Sequence, residues 1–307
     1  MINYTERVAL LMRDVVARTP RLSFIDLSEV IVFGRFGRTD AEGAFATCHC
    51  LTLPESEPGY YFWRDRETGA LTRRSPWFVT KSPTVRVGAK QIKYLISFVL
   101  PRFCDQTLAR SRKADLYPGR ESWLAKLDTI VHELYHIDPL ATGIRALNRA
   151  DGTRATRTHG PTFYEDVAEM VQDYLAGDPE PALYEFLRYD FDGLTTRYGG
   201  VAGTTFSNFP SFPQRYIQTV ELPAVEPCVR VEPLKPATQP DLYTEADLYL
   251  REFTGTRSRR LPGELGMDLL EFELRCDPPS AHEPRRPIGG SQMLHAHDAT
   301  RRRRVNK

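Results

Sequence analysis

Residues 121–137 read ESWLAKLDTIVHELYHI, and they are the most informative stretch of the chain. Apolar residues recur in it at intervals of three and four, which is the spacing of one face of an α-helix. Asp138 and Pro139 follow, and helices usually end at or before the residue that precedes a proline. The stretch therefore predicts a helix that ends near residue 137 and carries two histidines in its last turns.

The last turns of this helix hold an HExxH motif, with His132, Glu133 and His136 as its defining residues. Histidines four positions apart lie one turn apart on the same helix face, so both imidazoles can reach one Zn²⁺ ion. Glu133 projects about 100° away from His132, close enough to act on a water molecule at the metal. The motif predicts zinc-assisted hydrolysis, with Glu133 as the general base.

The remaining residues of the helix indicate which of its sides packs on the core and which side carries the histidines. Its apolar residues form a stripe, and the two histidines lie on the side of the helix opposite the centre of that stripe. Ala125 and Thr129, which are both small, share the histidine face. We expect one side of the helix to pack on a core and the other side to line a cleft.

A catalytic zinc ion needs a third protein ligand, and two residues qualify. His159 comes directly before a second predicted helix at 161–176, and Gly160 lets the chain turn tightly beside a metal. Glu169 lies within that second helix, four residues before Asp173. Zinc accepts either type of donor. We favour His159 as the third ligand and keep Glu169 as the alternative.

Three further residues are candidates for supporting roles. Tyr164 and Tyr135 each carry a phenol that can donate a hydrogen bond to developing negative charge, although tyrosines at such positions also serve as core or rim residues. Asp138 can orient a ligand histidine through a hydrogen bond. The proline after Asp138 gives an equally good local reason for an aspartate there.

The HELYH stretch, followed by His159-Gly160-Pro161-Thr162-Phe163 before an apolar helix, resembles the zincin-type peptidases of the SprT-like and predicted phage or bacterial metallopeptidase families. The resemblance covers roughly residues 84–176. It implies His132, His136 and His159 as zinc ligands, Glu133 as the catalytic base, and the strand at 94–100 as one wall of the cleft. The paired Cys-x-x-Cys motifs of the SprT-type zinc ribbon have no counterpart in this chain.

The predicted fold is α+β and zincin-like, with a mixed or antiparallel sheet packed on the HExxH helix and a second helix. Another helix is predicted at 3–18, and short extended runs between 22 and 100 suggest an antiparallel meander. We expect a metallopeptidase domain over 1–180 and a less regular region over 181–275, either a small separate domain or part of the first. Residues 276–307 are rich in Pro, Gly, Ser and Arg and predict a disordered basic tail.

Composition narrows the class of protein. The 41 basic and 40 acidic residues nearly cancel, which argues against a surface built wholly for nucleic acid or membrane. Five cysteines in 307 residues do not suit a disulfide-stapled secreted scaffold. The first residues do not show the basic start and apolar run that are typical of a signal peptide. The longest apolar run, 94–100, is far shorter than a membrane-spanning helix. These features predict a cytoplasmic protein that does not enter a membrane.

The leading functional prediction is a zinc-dependent metallopeptidase that acts on a protein or peptide substrate. One alternative is a DNA-associated SprT-like protease, in which the arginine run at 301–304 makes weak contact with nucleic acid. The other is a non-catalytic protein whose zinc site is structural and is closed by a fourth side chain.

Overall fold

The computed structural model describes residues 1–52, 57–65, 67–68, 71–110, 113–140, 143–145, 159–207, 215–219, 229–231 and 242–261. Within these ranges the chain folds into four α-helices and several sheets, so the predicted α+β class is confirmed. The predicted tail at 276–307 lies outside the described residues.

The helices are α1 (Tyr4–Arg18), α2 (Leu124–Tyr135), α3 (Phe163–Ala176) and α4 (Phe191–Tyr198). The first three form where the apolar spacing predicts them, within three residues at each end. Asn3 caps helix α1: its side chain accepts a hydrogen bond from the Glu6 backbone N–H and so satisfies a donor of the first turn. Among the described helices, none has the length and apolar character needed to cross a membrane.

The strands are β1 (Ile2–Asn3), β2 (Val30–Gly37), β3 (Ala46–Cys50), β4 (Glu57–Asp65), β5 (Leu71–Lys81), β6 (Thr84–Val87), β7 (Lys90–Ile92), β8 (Tyr94–Pro101), β9 (Val201–Phe206), β10 (Arg215–Thr219), β11 (Val229–Val231), β12 (Leu242–Tyr243), β13 (Leu248–Phe253) and β14 (Ser258–Arg260). They pair in the orders β1-β9-β13-β14, β10-β5-β4-β11, β12-β6-β7 and β2-β8-β3.

The sheet nearest α2 is mixed, so the expectation of an antiparallel meander is wrong there. Strand β8 lies in the middle, with β2 parallel on one edge and β3 antiparallel on the other. Every residue of β8 is buried, as befits a central strand with both faces covered. A run of apolar residues marks such a strand but does not say which strands pair with it.

The main core continues past residue 180, where we predicted a boundary. It joins α1, α2, α3 and the inner face of β2-β8-β3 to Leu194, Val201 and Phe253. Strand β1 at the N-terminus pairs in parallel with β9, and a Cβ built at Gly34 would lie 3.0 Å from the Phe253 ring. Residues of the 181–275 region therefore share a core with the residues before it.

Candidate metal centre

Three histidines converge where α2 ends and α3 begins. His132 and His136 stand on the last turn of α2, and His159 lies in the turn before α3. The Nε2 atom of His132 is 3.1 Å from the Nε2 atoms of both His136 and His159. One ligand atom from each histidine lies within 4.8 Å of the other two. The fold thus brings the predicted third histidine, 23 positions along the sequence from the motif, to the helix pair.

The spacing of these nitrogens suits a tetrahedral zinc ion. With Zn–N bonds of about 2.05 Å, two nitrogens at adjacent corners of a tetrahedron lie about 3.3 Å apart. The two observed separations from His132 are 3.1 Å, which is close to that edge. Among the described residues no fourth His, Cys, Asp or Glu joins the group, so a tetrahedral ion bound there would keep one position open.

The local environment keeps these imidazoles neutral, which is the form that binds metals. Burial, together with smaller effects of the neighbouring His136, Lys113 and His159, lowers the pKa of His132 to about 2. Burial, with His159 and Arg145 nearby, lowers the pKa of His136 to about 3. Burial also lowers the pKa of His159. All three rings therefore have nitrogen lone pairs available near neutral pH.

The outward nitrogens of the helix histidines lack the support that metal ligands usually have. Ligand histidines commonly donate their second N–H to a carboxylate or a carbonyl group. The Nδ1 atoms of His132 and His136 are buried without a hydrogen-bond partner in the described part of the chain. Asp138, predicted as such a partner, instead accepts the Leu140 backbone N–H at 2.9 Å. Asp138 thus contacts the turn that follows α2.

Phe163, the first residue of α3, packs against all three histidines. Its ring centroid lies 4.9 Å from that of His132, 5.0 Å from that of His136 and 4.7 Å from that of His159. The side chain is buried within the main core. A rigid ring in this position limits the rotations of all three imidazoles at once. Phe163 belongs to the segment that carries the resemblance, but we predicted no role for it at the site from the sequence.

The two candidate tyrosines occupy different places. Tyr164 stacks on His159, with the ring planes 14° apart and the centroids 5.3 Å apart, and its ring is 5.8 Å from His132. The hydroxyl of Tyr135 donates to Asp166 at 3.3 Å, and its ring packs against Phe163. Tyr164 is therefore the better placed of the two to act on a ligand at the histidine cluster.

Glu169, the alternative third ligand, lies on the exposed side of α3. Its side chain is 57% exposed and pairs with Arg21 at 2.8 Å. It is not among the residues whose ligand atoms meet at the cluster. The structure thus brings His159, rather than Glu169, to His132 and His136.

Glu133 is buried beside the histidines, next to the edge strand β3. The Cys48 backbone N–H donates to its carboxylate. Burial raises the pKa of Glu133 to about 7, while that hydrogen bond and the positive charge of Lys113 act in the opposite direction. A carboxylate with a pKa near 7 is well matched to general-base work at neutral pH. The strand in contact with Glu133 is β3, which pairs with β8 in the same sheet.

Helix α2 is buried on nearly all sides, which corrects the expectation of one packed face and one cleft face. Lys126, Asp128 and Thr129 are each at most 5% exposed. Asp128 lies 2.6 Å from the Lys113 ammonium, which also donates to Thr129. Our sequence reasoning missed this pair, although a charged residue one turn before the first motif histidine was a visible signal for it.

Comparison with known proteins identifies no family for this chain. No family model matches it, and neither a curated protein nor a solved structure gives a significant match. The resemblance to zincin-type peptidases therefore stays a prediction that rests on the motif residues, and function must be argued from the site itself.

Proposed function

We propose that the protein is a zinc-dependent metallopeptidase with a zincin-like active site. The observation that carries the proposal is the convergence of three neutral histidine nitrogens beside a buried glutamate. His132, His136 and His159 would hold the ion, and Glu133 would act next to it. Other metals accept imidazole ligands as well, but a three-histidine site with one open position is typical of catalytic zinc.

Each residue has a defined part in this proposal. Zinc, when bound, supplies Lewis acidity that activates water and polarises a carbonyl group. Glu133 takes the proton from the attacking water at its carboxylate and delivers it to the leaving amine. The Cys48 N–H fixes the carboxylate of Glu133 from the side of β3. The Tyr164 phenol, whose ring stacks on His159, is the candidate donor to the charge that develops on the carbonyl oxygen.

A purely structural zinc site is less well supported. Such sites usually have four protein ligands, whereas the described residues bring together three. A structural site also gives no reason to bury a glutamate beside the histidines, because burying a carboxylate is unfavourable unless it is compensated. The DNA-associated alternative depends on the basic tail, which lies outside the described residues.

The decisive experiment separates metal binding from catalysis. Glu133→Gln keeps the size of the side chain but removes the base, so zinc should stay bound while peptide hydrolysis falls by about 10²- to 10⁴-fold. His132→Ala should lose both the metal and the activity. Zinc content by mass spectrometry and cleavage of a quenched fluorescent peptide library report the two properties. Wild-type activity in Glu133→Gln would refute the mechanism.

A further inference from the structure

Arg145 is held tightly at the end of the metal-site helix. Its backbone N–H donates to the His136 carbonyl at 2.7 Å, and its Nε donates to the Tyr135 carbonyl at 2.7 Å. The guanidinium carbon lies 4.2 Å from the centroid of the Tyr135 ring. Three contacts thus fix both the backbone and the side chain of Arg145. A guanidinium that is already positioned loses little conformational entropy when it binds a ligand.

The carboxylates of this rim are engaged by other groups. Asp166 accepts from the Tyr135 hydroxyl at 3.3 Å and from Arg21 at 3.3 Å. Glu169 pairs with the same arginine at 2.8 Å. Within the described residues, no carboxylate lies within ion-pair distance of Arg145. Its two terminal nitrogens, each carrying two N–H groups, have no acceptor there either, since only Nε is used.

The guanidinium of Arg145 is connected to the histidine cluster through two neighbouring residues. Arg145 is bonded to the backbone of His136, and the Tyr135 ring beneath it packs against Phe163, the residue that contacts all three imidazoles. Phe24 lies 5.7 Å from the guanidinium and is 38% exposed. A positive charge with no counter-charge among the described residues and an apolar ring thus stand side by side on the rim of the candidate active site.

We propose that Arg145 binds a carboxylate of the substrate and so makes the site selective for peptides that present a carboxylate there. This inference rests on the proposed peptidase function. Guanidinium and carboxylate groups match in geometry and form paired, charge-assisted hydrogen bonds. An acidic side chain and the C-terminal carboxylate of a short peptide offer the same chemistry. The exposed Phe24 ring would pack on the apolar part of the bound residue.

The test compares matched peptides on the zinc-loaded full-length protein. One set of quenched fluorescent peptides differs only by Glu or Gln at each position around the scissile bond. A second set differs only by a free or an amidated C-terminus. We expect one carboxylate-bearing set to be cleaved with a kcat/KM about tenfold above its neutral partner, as for a single charged hydrogen-bonded contact. The set that shows the preference identifies the source of the carboxylate.

Variants then assign the preference to one residue. Arg145→Gln should bring the ratio to about one, mainly by lowering the kcat/KM of the carboxylate-bearing peptides. Arg145→Lys, which keeps the charge but not the paired hydrogen bonds, should keep part of the ratio. Arg21→Gln removes an equal charge from the same rim and should leave the ratio unchanged. Zinc content and a thermal melt of each variant verify that it is folded and loaded.

The outcomes that overturn the inference differ from those that overturn the proposed function. The role of Arg145 is refuted if the wild-type protein cleaves peptides without any carboxylate preference, or if the preference survives in Arg145→Gln. Neither result affects the peptidase proposal. The first of these results needs no variant, so a failure of Arg145→Gln to fold does not protect the inference. Absence of any cleavage that depends on Glu133 removes the peptidase proposal, and the role of Arg145 with it.

Discussion

Helix α2 carries two buried polar clusters one turn apart, and they differ in how well their polar groups are satisfied. The first joins Lys113 and Asp128, and the second joins His132, His136 and His159. In the first cluster the charges oppose and compensate one another. In the second, three nitrogen lone pairs converge and two outward nitrogens have no partner among the described residues.

The Lys113 cluster contains its own counter-charge. The ammonium lies 2.6 Å from Asp128 Oδ1, donates to Thr129 Oγ1 at 2.6 Å, and reaches the Ala125 carbonyl at 3.3 Å. Asp128 Oδ1 is held by this charge without a hydrogen bond of good geometry, while Oδ2 accepts from Tyr117 at 2.7 Å. A cluster of this kind has no need of an external ligand.

The difference teaches how to separate structural from functional polar groups on one helix. Buried polar groups are normally paired within the protein, because an unpaired group loses its hydration without compensation. The lysine–aspartate cluster follows this rule and ties the segment around residue 113 to α2. The histidine cluster departs from it twice: its converging Nε2 lone pairs would be satisfied by a cation, while two Nδ1 atoms have no partner among the described residues. Breaking each cluster should therefore have a different consequence.

The largest effect on folding is expected from Lys113→Met. It leaves the Asp128 carboxylate buried without its cation, which should lower the free energy of unfolding by about 3–5 kcal/mol. Urea unfolding of the zinc-loaded protein, followed by tryptophan fluorescence, measures this loss. The double variant Lys113→Met/Asp128→Leu removes both charges and should recover at least half of it. A loss below about 1 kcal/mol in the single variant would contradict a structural role for the pair.

The next effect concerns the metal. His159→Ala removes one of three donors, so zinc affinity should fall by more than the 10- to 100-fold that the loss of an outer hydrogen-bond partner costs. Competition with a fluorescent zinc chelator gives the dissociation constants. Unfolding of the metal-free protein should change little, because His159 makes its described polar contact with another histidine. Unchanged zinc affinity would remove His159 from the site.

A smaller effect on the metal is expected from Phe163→Leu. The loss of the ring frees all three imidazoles, so zinc affinity should fall by about tenfold, the low end for an outer-sphere change. Phe191→Leu, a buried substitution of the same size on α4, is the matched control for lost core packing. Both variants should lose similar stability, but only the first should bind zinc more weakly. Equal zinc affinities would show that Phe163 is merely a core residue.

The smallest effect is expected from Glu169→Ala. This side chain is mostly exposed and pairs only with Arg21 in the described contacts, so stability should change by less than about 1 kcal/mol. Zinc affinity should stay within about twofold of the wild-type value, since an exposed charge outside the cluster contributes little through solvent. The same chelator assay applies. A large fall in zinc affinity would restore Glu169 as the third ligand and refute the present assignment.

Much of the site could be predicted because its signal is local. The period of α2 places His132, Glu133 and His136 on adjacent positions of one helix turn. Strand alternation likewise predicts that Cys48 and His49 point to opposite faces of β3. Cys48 packs toward the main core, whereas His49 contacts Phe33 and the Ser97 hydroxyl on the other side.

Other features depend on contacts between distant segments, which no local pattern reveals. Strand pairing in β2-β8-β3, the burial of α2 on nearly all sides, and the lysine–aspartate cluster depend on how these segments pack together. The same holds for the Cys48 N–H at Glu133, because the sequence separates the two residues by 85 positions.

The sequence by itself determined that the chain holds an HExxH helix, a second helix that begins just after His159, and an α+β pattern around them. Periodicity and helix-ending signals are properties of neighbouring residues, so they can be read without the fold. Only the tertiary structure shows that His159, and not Glu169, lies beside His132 and His136. Both residues are near α3 in sequence, and the choice depends on which side of that helix meets α2. Packing of Phe163 against α2 turns His159 toward the motif and leaves Glu169 exposed beside Arg21.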